Sequence, residues 1–240
     1  MPAWRLDEND RSVTKYDVGA SDGEETHFIG HVLLCDVDVP TNVSSKSASV
    51  QAVHMGLHLE QSLEHVDVIG TAVLDAGETT GGERRQIKSF VDDRLLERRA
   101  QLERLAKLHP RLHPKSEYII HPAAREPDAN HPLWLFNCAG FVLYAYLEAN
   151  IELVAQQQAP KVALDVMKRA YPKARRRLDD PEFREEMGIG AGIRWPVILA
   201  GYVIHSLNRT ADEIRQAPYT PRSGDEYFPA LQDHADEKTA

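Results

Sequence analysis

The reading of this chain turns on Trp134-Leu135-Phe136-Asn137-Cys138-Ala139-Gly140-Phe141-Val142-Leu143-Tyr144. An apolar run leads to Asn137, a cysteine follows, and helical spacing begins. Asn at such a junction predicts an N-cap, because its side chain accepts from the free N–H groups of the first turn. Cys138 then falls in that turn, where the helix dipole and unpaired N–H groups favour an anion and lower a thiol's pKa. A thiolate is the nucleophile of a covalent hydrolase or acyltransferase. Free cysteines are also commonly plain buried residues, so position alone leaves Cys138 open between nucleophile and core.

Downstream, Phe141, Tyr144, Ala145 and Glu148 recur at i, i+3, i+4 and i+7, which predicts a partly buried helix running to about Asn150, an αL-type cap. Upstream, His27–Val39 is β-rich and closed by Pro40, with Asp36 and Asp38 alternating with Val37 and Val39. Cys35 lies inside that run, has no basic neighbour in sequence, and reads as structural. Val50–Leu59 alternates with period 2: Val53, Met55, Leu57 and Leu59 share one face, and His54, Gly56 and His58 the other. After a loop at Glu60–Glu64, His65–Asp75 repeats the pattern, with His65, Asp67, Thr71 and Asp75 on its polar face. The two runs predict an antiparallel hairpin whose polar sides align.

Elsewhere the signals are structural. Residues 1–26 read as a poorly ordered arm. Ile87–Leu108 carries Leu95, Leu102 and Leu105 at helical spacing, with Arg98, Arg99 and Arg104 on a solvated face, and His109-Pro110 ends it. Arg111–Pro132 is rich in Pro and His and holds one short strand candidate, Tyr118-Ile119-Ile120. Lys161–Ala170 and Pro181–Met187 predict short helices. Gly188–Gly192 is a flexible link that lacks a P-loop lysine. Pro196–Asn208 predicts an apolar helix with Pro in its first turn and His205 as a packed or boundary residue. From Thr220 the chain is a polar tail.

Composition excludes some function classes. At 240 residues, 42% hydrophobic and 27% charged, the chain suits one domain of ordinary size, or one with a helical extension. A net charge of −9 argues against general affinity for nucleic acid or anionic membranes. Two cysteines make no disulfide framework and suit a reducing compartment. The N-terminus lacks an apolar secretory core, and Trp195–Ile204 is shorter than the roughly 20 residues of a membrane span. The expectation is a soluble cytoplasmic protein with no integral membrane segment. Eleven histidines raise the question of a metal. His54 and His58, four residues apart on one strand, stand about 13 Å apart and do not share an ion. No cofactor or metal is expected.

Two motifs resemble a known family. Asn137-Cys138-Ala139-Gly140-Phe141-Val142 is similar to the Asn/Asp-Cys-x-Gly-Phe-Val nucleophile motif of NlpC-type cysteine hydrolases. His54-Met55-Gly56-Leu57-His58-Leu59 resembles the His-x-Gly-aliphatic-x-aliphatic strand that carries their histidine. His54 precedes Cys138, an order that resembles the circularly permuted branch including lecithin:retinol acyltransferase. His58 and Glu60 depart from the family's usual Tyr and Gly. The resemblance implies an α+β, permuted papain-like core over 27–150, a small antiparallel sheet packed on the nucleophile-bearing helix, with 151–240 as a helical extension and polar tail. It implies Cys138 as nucleophile, His54 as general base, and a third polar residue among His65, Asp67, Thr71 and Asp75, with His65 favoured. The expected activity is thiol-dependent hydrolysis or acyl transfer on an amide or ester, with a small-molecule, peptide or lipid-like substrate. The alternative is a catalytically inactive relative serving as a binding or scaffold module.

Overall fold

A computed structural model describes residues 2–5, 15–16, 26–28, 31–36, 48–55, 58–66, 81–108, 117–171, 174–207 and 209–228. They build a mixed α+β architecture with small antiparallel sheets. The largest sheet has the order β1 (Pro2–Arg5), β4 (Leu33–Asp36), β5 (Ala48–Met55), β6 (Leu59–Val66), each strand antiparallel to the next. Strands β2 (Lys15–Tyr16), β3 (Thr26–Phe28) and β11 (Tyr227–Phe228) form another, in the order β11-β3-β2. Residues 2–5 and 15–16, expected in a loose arm, are thus paired strands. Residues 220–228, expected in a polar tail, end in a strand, with Glu226 buried just before it.

The hairpin lies earlier than its hydrophobic pattern predicts. β5 and β6 pair from Ala48↔Val66 to Met55↔Leu59, so the chain reverses between Met55 and Leu59 and the expected Glu60–Glu64 loop is strand. Leu59 and Met55 are both buried, so the register keeps the apolar residues on the core face.

From residue 81 one continuous helical run covers α1 (Gly81–Ser89), a π-helical stretch (Phe90–Leu96) and α2 (Glu97–Leu108). Leu95, Leu102 and Ala106 carry the buried stripe, while Leu105 is left exposed. The expected strand at Tyr118–Ile120 reduces to a single parallel bridge, Tyr118↔Phe136. Next, β7 (Ala124–Arg125) pairs with β8 (Leu135–Phe136) and leads into α3 (Cys138–Leu147), after which Asn150 adopts the left-handed conformation at φ 59°.

Beyond residue 150, β9 (Val162–Ala163) pairs with β10 (Arg194–Trp195), and α4 (Leu164–Ala170) and α5 (Pro181–Glu186) match the two short helices expected there. The apolar helix α6 (Ala200–Leu207) starts after Pro196, because Trp195 is held in β10 and the chain turns at once, Val197 N–H donating to the Trp195 carbonyl. A last helix, α7 (Ala211–Gln216), begins with a reciprocal Thr210–Glu213 capping box. α3 packs on β4 and β5 and also meets α1 and α6. Phe136, Phe141 and Val142 share one core with Met167, Leu178, Val197 and Tyr202, so segments on either side of residue 150 are packed together. Among the described residues no helix is long and apolar enough to cross a membrane.

Candidate functional site

Asn137 is fully buried and holds the start of α3 in three directions. Its Oδ1 accepts from the Gly140 N–H at 2.7 Å, the expected N-cap. Its Nδ2 donates to the carbonyls of Ile120 at 3.0 Å and Ile198 at 3.3 Å. Its own N–H donates to the Ala123 carbonyl at 3.0 Å. That carbonyl lies so close to the helix that a β-carbon on Gly140 would come within 1.7 Å of it. Three residues of the motif thus have a visible structural role: Asn137 caps, Gly140 permits a close approach, and Phe141 fills the core.

Cys138 is the first residue of α3 and only 7% exposed. The buried Tyr171 and the partly buried Tyr118 stand near enough for a negative charge on its sulfur to oppose their ionisation. The two rings meet edge to face at 6.2 Å. Burial pushes both phenols well above the usual tyrosine range; Tyr171 and then Cys138 add to this for Tyr118, and Cys138 for Tyr171.

His54 lies in β5, its backbone opposite Glu60, between the buried Val53 and Met55. His65 lies in β6 opposite Ser49, about 16 Å of strand from the level of His54. The ladder therefore does not bring His65 to His54, and the residue across from His54 is the exposed Glu60. The side chains of His54 and His65, and Asp67, Thr71 and Asp75 altogether, lie outside the described residues. So does the side chain of Cys35, whose backbone is in β4. What is brought together is α3, with Cys138 at its start, and the strand that carries His54.

Sequence reasoning misses a second cluster. Glu117 is 5% exposed, and its Oε2 accepts from the Leu59 N–H at 3.3 Å. Its Oε1 lies 3.3 Å from Arg99 Nε and 3.5 Å from His58 Nδ1, without the alignment of a hydrogen bond to either. Burial raises the Glu117 pKa, and Arg99, the Leu59 N–H and His58 oppose it in that order. Arg99 also donates to the Leu59 carbonyl and pairs with Glu103. It is thus no part of the solvated face expected for it. The available signal is a carboxylate directly before the apolar Tyr118-Ile119-Ile120, where an acid has little chance of remaining in water. His58 and Arg99, distant in sequence, give no sign of meeting there.

A cavity of about 310 Å³ adjoins this cluster, lined by Leu59, Leu95, Arg98, Glu117, Trp134 and Phe136 among others. Cys138 is not among its lining residues. Among the described residues no group of three His, Cys, Asp or Glu side chains is arranged to hold a metal ion. Compared with protein-family models, curated proteins and solved structures, the chain matches none.

Proposed function

We propose that the protein is a thiol-dependent hydrolase or acyltransferase of permuted papain-like type, acting on an amide or ester. The observation that carries this reading is the placement of Cys138 as first residue of α3, with that helix laid on β5, the strand of His54. The positive end of the helix dipole favours the thiolate electrostatically and suits a developing oxyanion. His54 takes the thiol proton; the sulfur attacks the carbonyl carbon; the C–N or C–O bond breaks and the leaving group carries the proton away. Water or an acceptor hydroxyl or amine then cleaves the acyl-cysteine. The substrate class is a small molecule, peptide or lipid-like acyl compound, and a soluble cytoplasmic setting suits a free thiol.

The test is alkylation by iodoacetamide across pH, with acylation by p-nitrophenyl acetate read by mass spectrometry. The expected result is labelling of Cys138 in the folded protein with a midpoint below the roughly 8.5 of a free thiol, slowed in His54→Ala. Labelling only at the rate of global unfolding, indifferent to His54→Ala, would overturn it.

The burial of Cys138 beside Tyr118 and Tyr171 favours a second reading, a catalytically inactive relative serving as a binding module. The same experiment separates the two, because an inactive relative forms no acyl-cysteine.

A further inference from the structure

The cavity beside Glu117 has features that the chemistry proposed at Cys138 does not use. One wall is aromatic and fixed: Trp134 and Phe136 stack with centroids 5.4 Å apart and planes 3° from parallel, and Phe90 and Tyr144 meet Trp134 edge-on. Leu95 and Leu133, both buried, extend the apolar lining. Pro127 and Pro132 also line it, and proline's fixed φ stiffens this loop. The volume, about 310 Å³, lies at the lower end of the roughly 300–1,000 Å³ of small-molecule pockets.

The charges around it differ in how they are already used. Arg94 is bound to Glu148 at 2.7 Å and lies over the Phe90 ring. Asp93 accepts from the Ser89 hydroxyl at 2.6 Å. Glu117 already faces Arg99 and His58. Arg98 is different. It is exposed, lines the cavity, and makes no hydrogen bond, ion pair or ring contact among the described residues. A guanidinium with its donors unspent, at the open side of an apolar slot, matches a carboxylate carried on a flat apolar body.

We infer that this cavity binds a small organic acid, its ring or chain against Trp134 and Leu133 and its carboxylate on Arg98. The inference stands apart from the reading of Cys138, since it requires no thiol chemistry.

The test is isothermal titration of the full chain with three probes of one shape: 2-naphthoate, 2-naphthamide and a naphthyl trimethylammonium. Saturable one-to-one binding of 2-naphthoate is expected, at least about tenfold tighter than the amide. Arg98→Gln, an exposed change, should remove that preference and leave the amide's affinity as it was. Leu133→Trp, which fills the slot, should abolish binding of both, with far-ultraviolet circular dichroism checking that the variant is folded. Absence of saturable binding, equal affinity for acid and amide, or preference for the cation overturns the inference. If Leu133→Trp does not fold, the Arg98→Gln comparison decides alone.

Discussion

The side-chain amide of Asn137 donates to the carbonyl of Ile198, sixty-one residues further along the chain, at 3.3 Å. The residue that caps the Cys138 helix therefore also fastens it to the segment that runs into α6. A cap made only for local helix stability would need Oδ1 alone; here Nδ2 has buried partners as well, Ile120 and Ile198.

Asn137→Ala removes the side-chain bonds to Gly140, Ile120 and Ile198 and leaves two carbonyls short of a donor in a buried setting. A lost cap costs about 1 kcal/mol, and buried unsatisfied groups about 1–3 kcal/mol each. The expected loss is about 3 kcal/mol or more, measured by urea unfolding. Asn137→Ser, which restores only the cap acceptor, should recover about 1 kcal/mol of it. Equal stability of the Ala and Ser variants would mean that the cap contributes nothing.

Gly140→Ala is expected to be as damaging for a different reason. Its β-carbon would meet the carbonyl oxygen of Ala123 at 1.7 Å, and that oxygen is backbone already accepting from the Asn137 N–H. Nothing flexible is available to yield, so the helix start or the 120–124 segment must move. Overpacking of this kind costs about 1–3 kcal/mol, occasionally more, and the upper end is expected here. Thermal unfolding of Gly140→Ala checks it; a midpoint within a degree or so of the parent would show that the two segments are free to separate.

Local order is legible where one residue type has one cheap use. Asn137 before an apolar helix and Asn150 after it behave as their chemistry predicts, as N-cap and left-handed residue. The strand carrying His54 is legible from period 2, but its end is not. Gly56 fits a strand facing a close neighbour as well as it fits a reversal, and only pairing of Met55 with Leu59 distinguishes them. The helix from residue 81 is legible in outline, while its π stretch leaves no mark in a 3.6-residue pattern and Leu105, at helical spacing, is exposed. The Asn-Cys-x-Gly-Phe run is legible as a helix start, and the need for Gly140 becomes visible only with Ala123 in place. Glu117, His58 and Arg99 come from three distant segments, and long-range encounters of charged residues have no periodicity to betray them.

The Glu117 cluster carries a pH signature whose sign follows from the carboxyl's surroundings. Burial raises its folded-state pKa above the ordinary 4.5, and Arg99, the Leu59 N–H and His58 only partly reverse this. As pH rises, the unfolded chain loses the Glu117 proton first, while the folded chain retains it to higher pH. In that window the folded state binds more protons, so stability falls with rising pH. The contribution is most favourable below about 4.5 and is lost as pH passes through the raised folded value. Glu117→Gln keeps an oxygen for the Leu59 N–H but cannot titrate. Urea unfolding between about pH 4 and neutrality should therefore show a less negative slope of stability with pH in Glu117→Gln than in the parent. A steeper fall in the variant would mean that Arg99 and His58 outweigh burial, and that the carboxylate is held below its ordinary pKa.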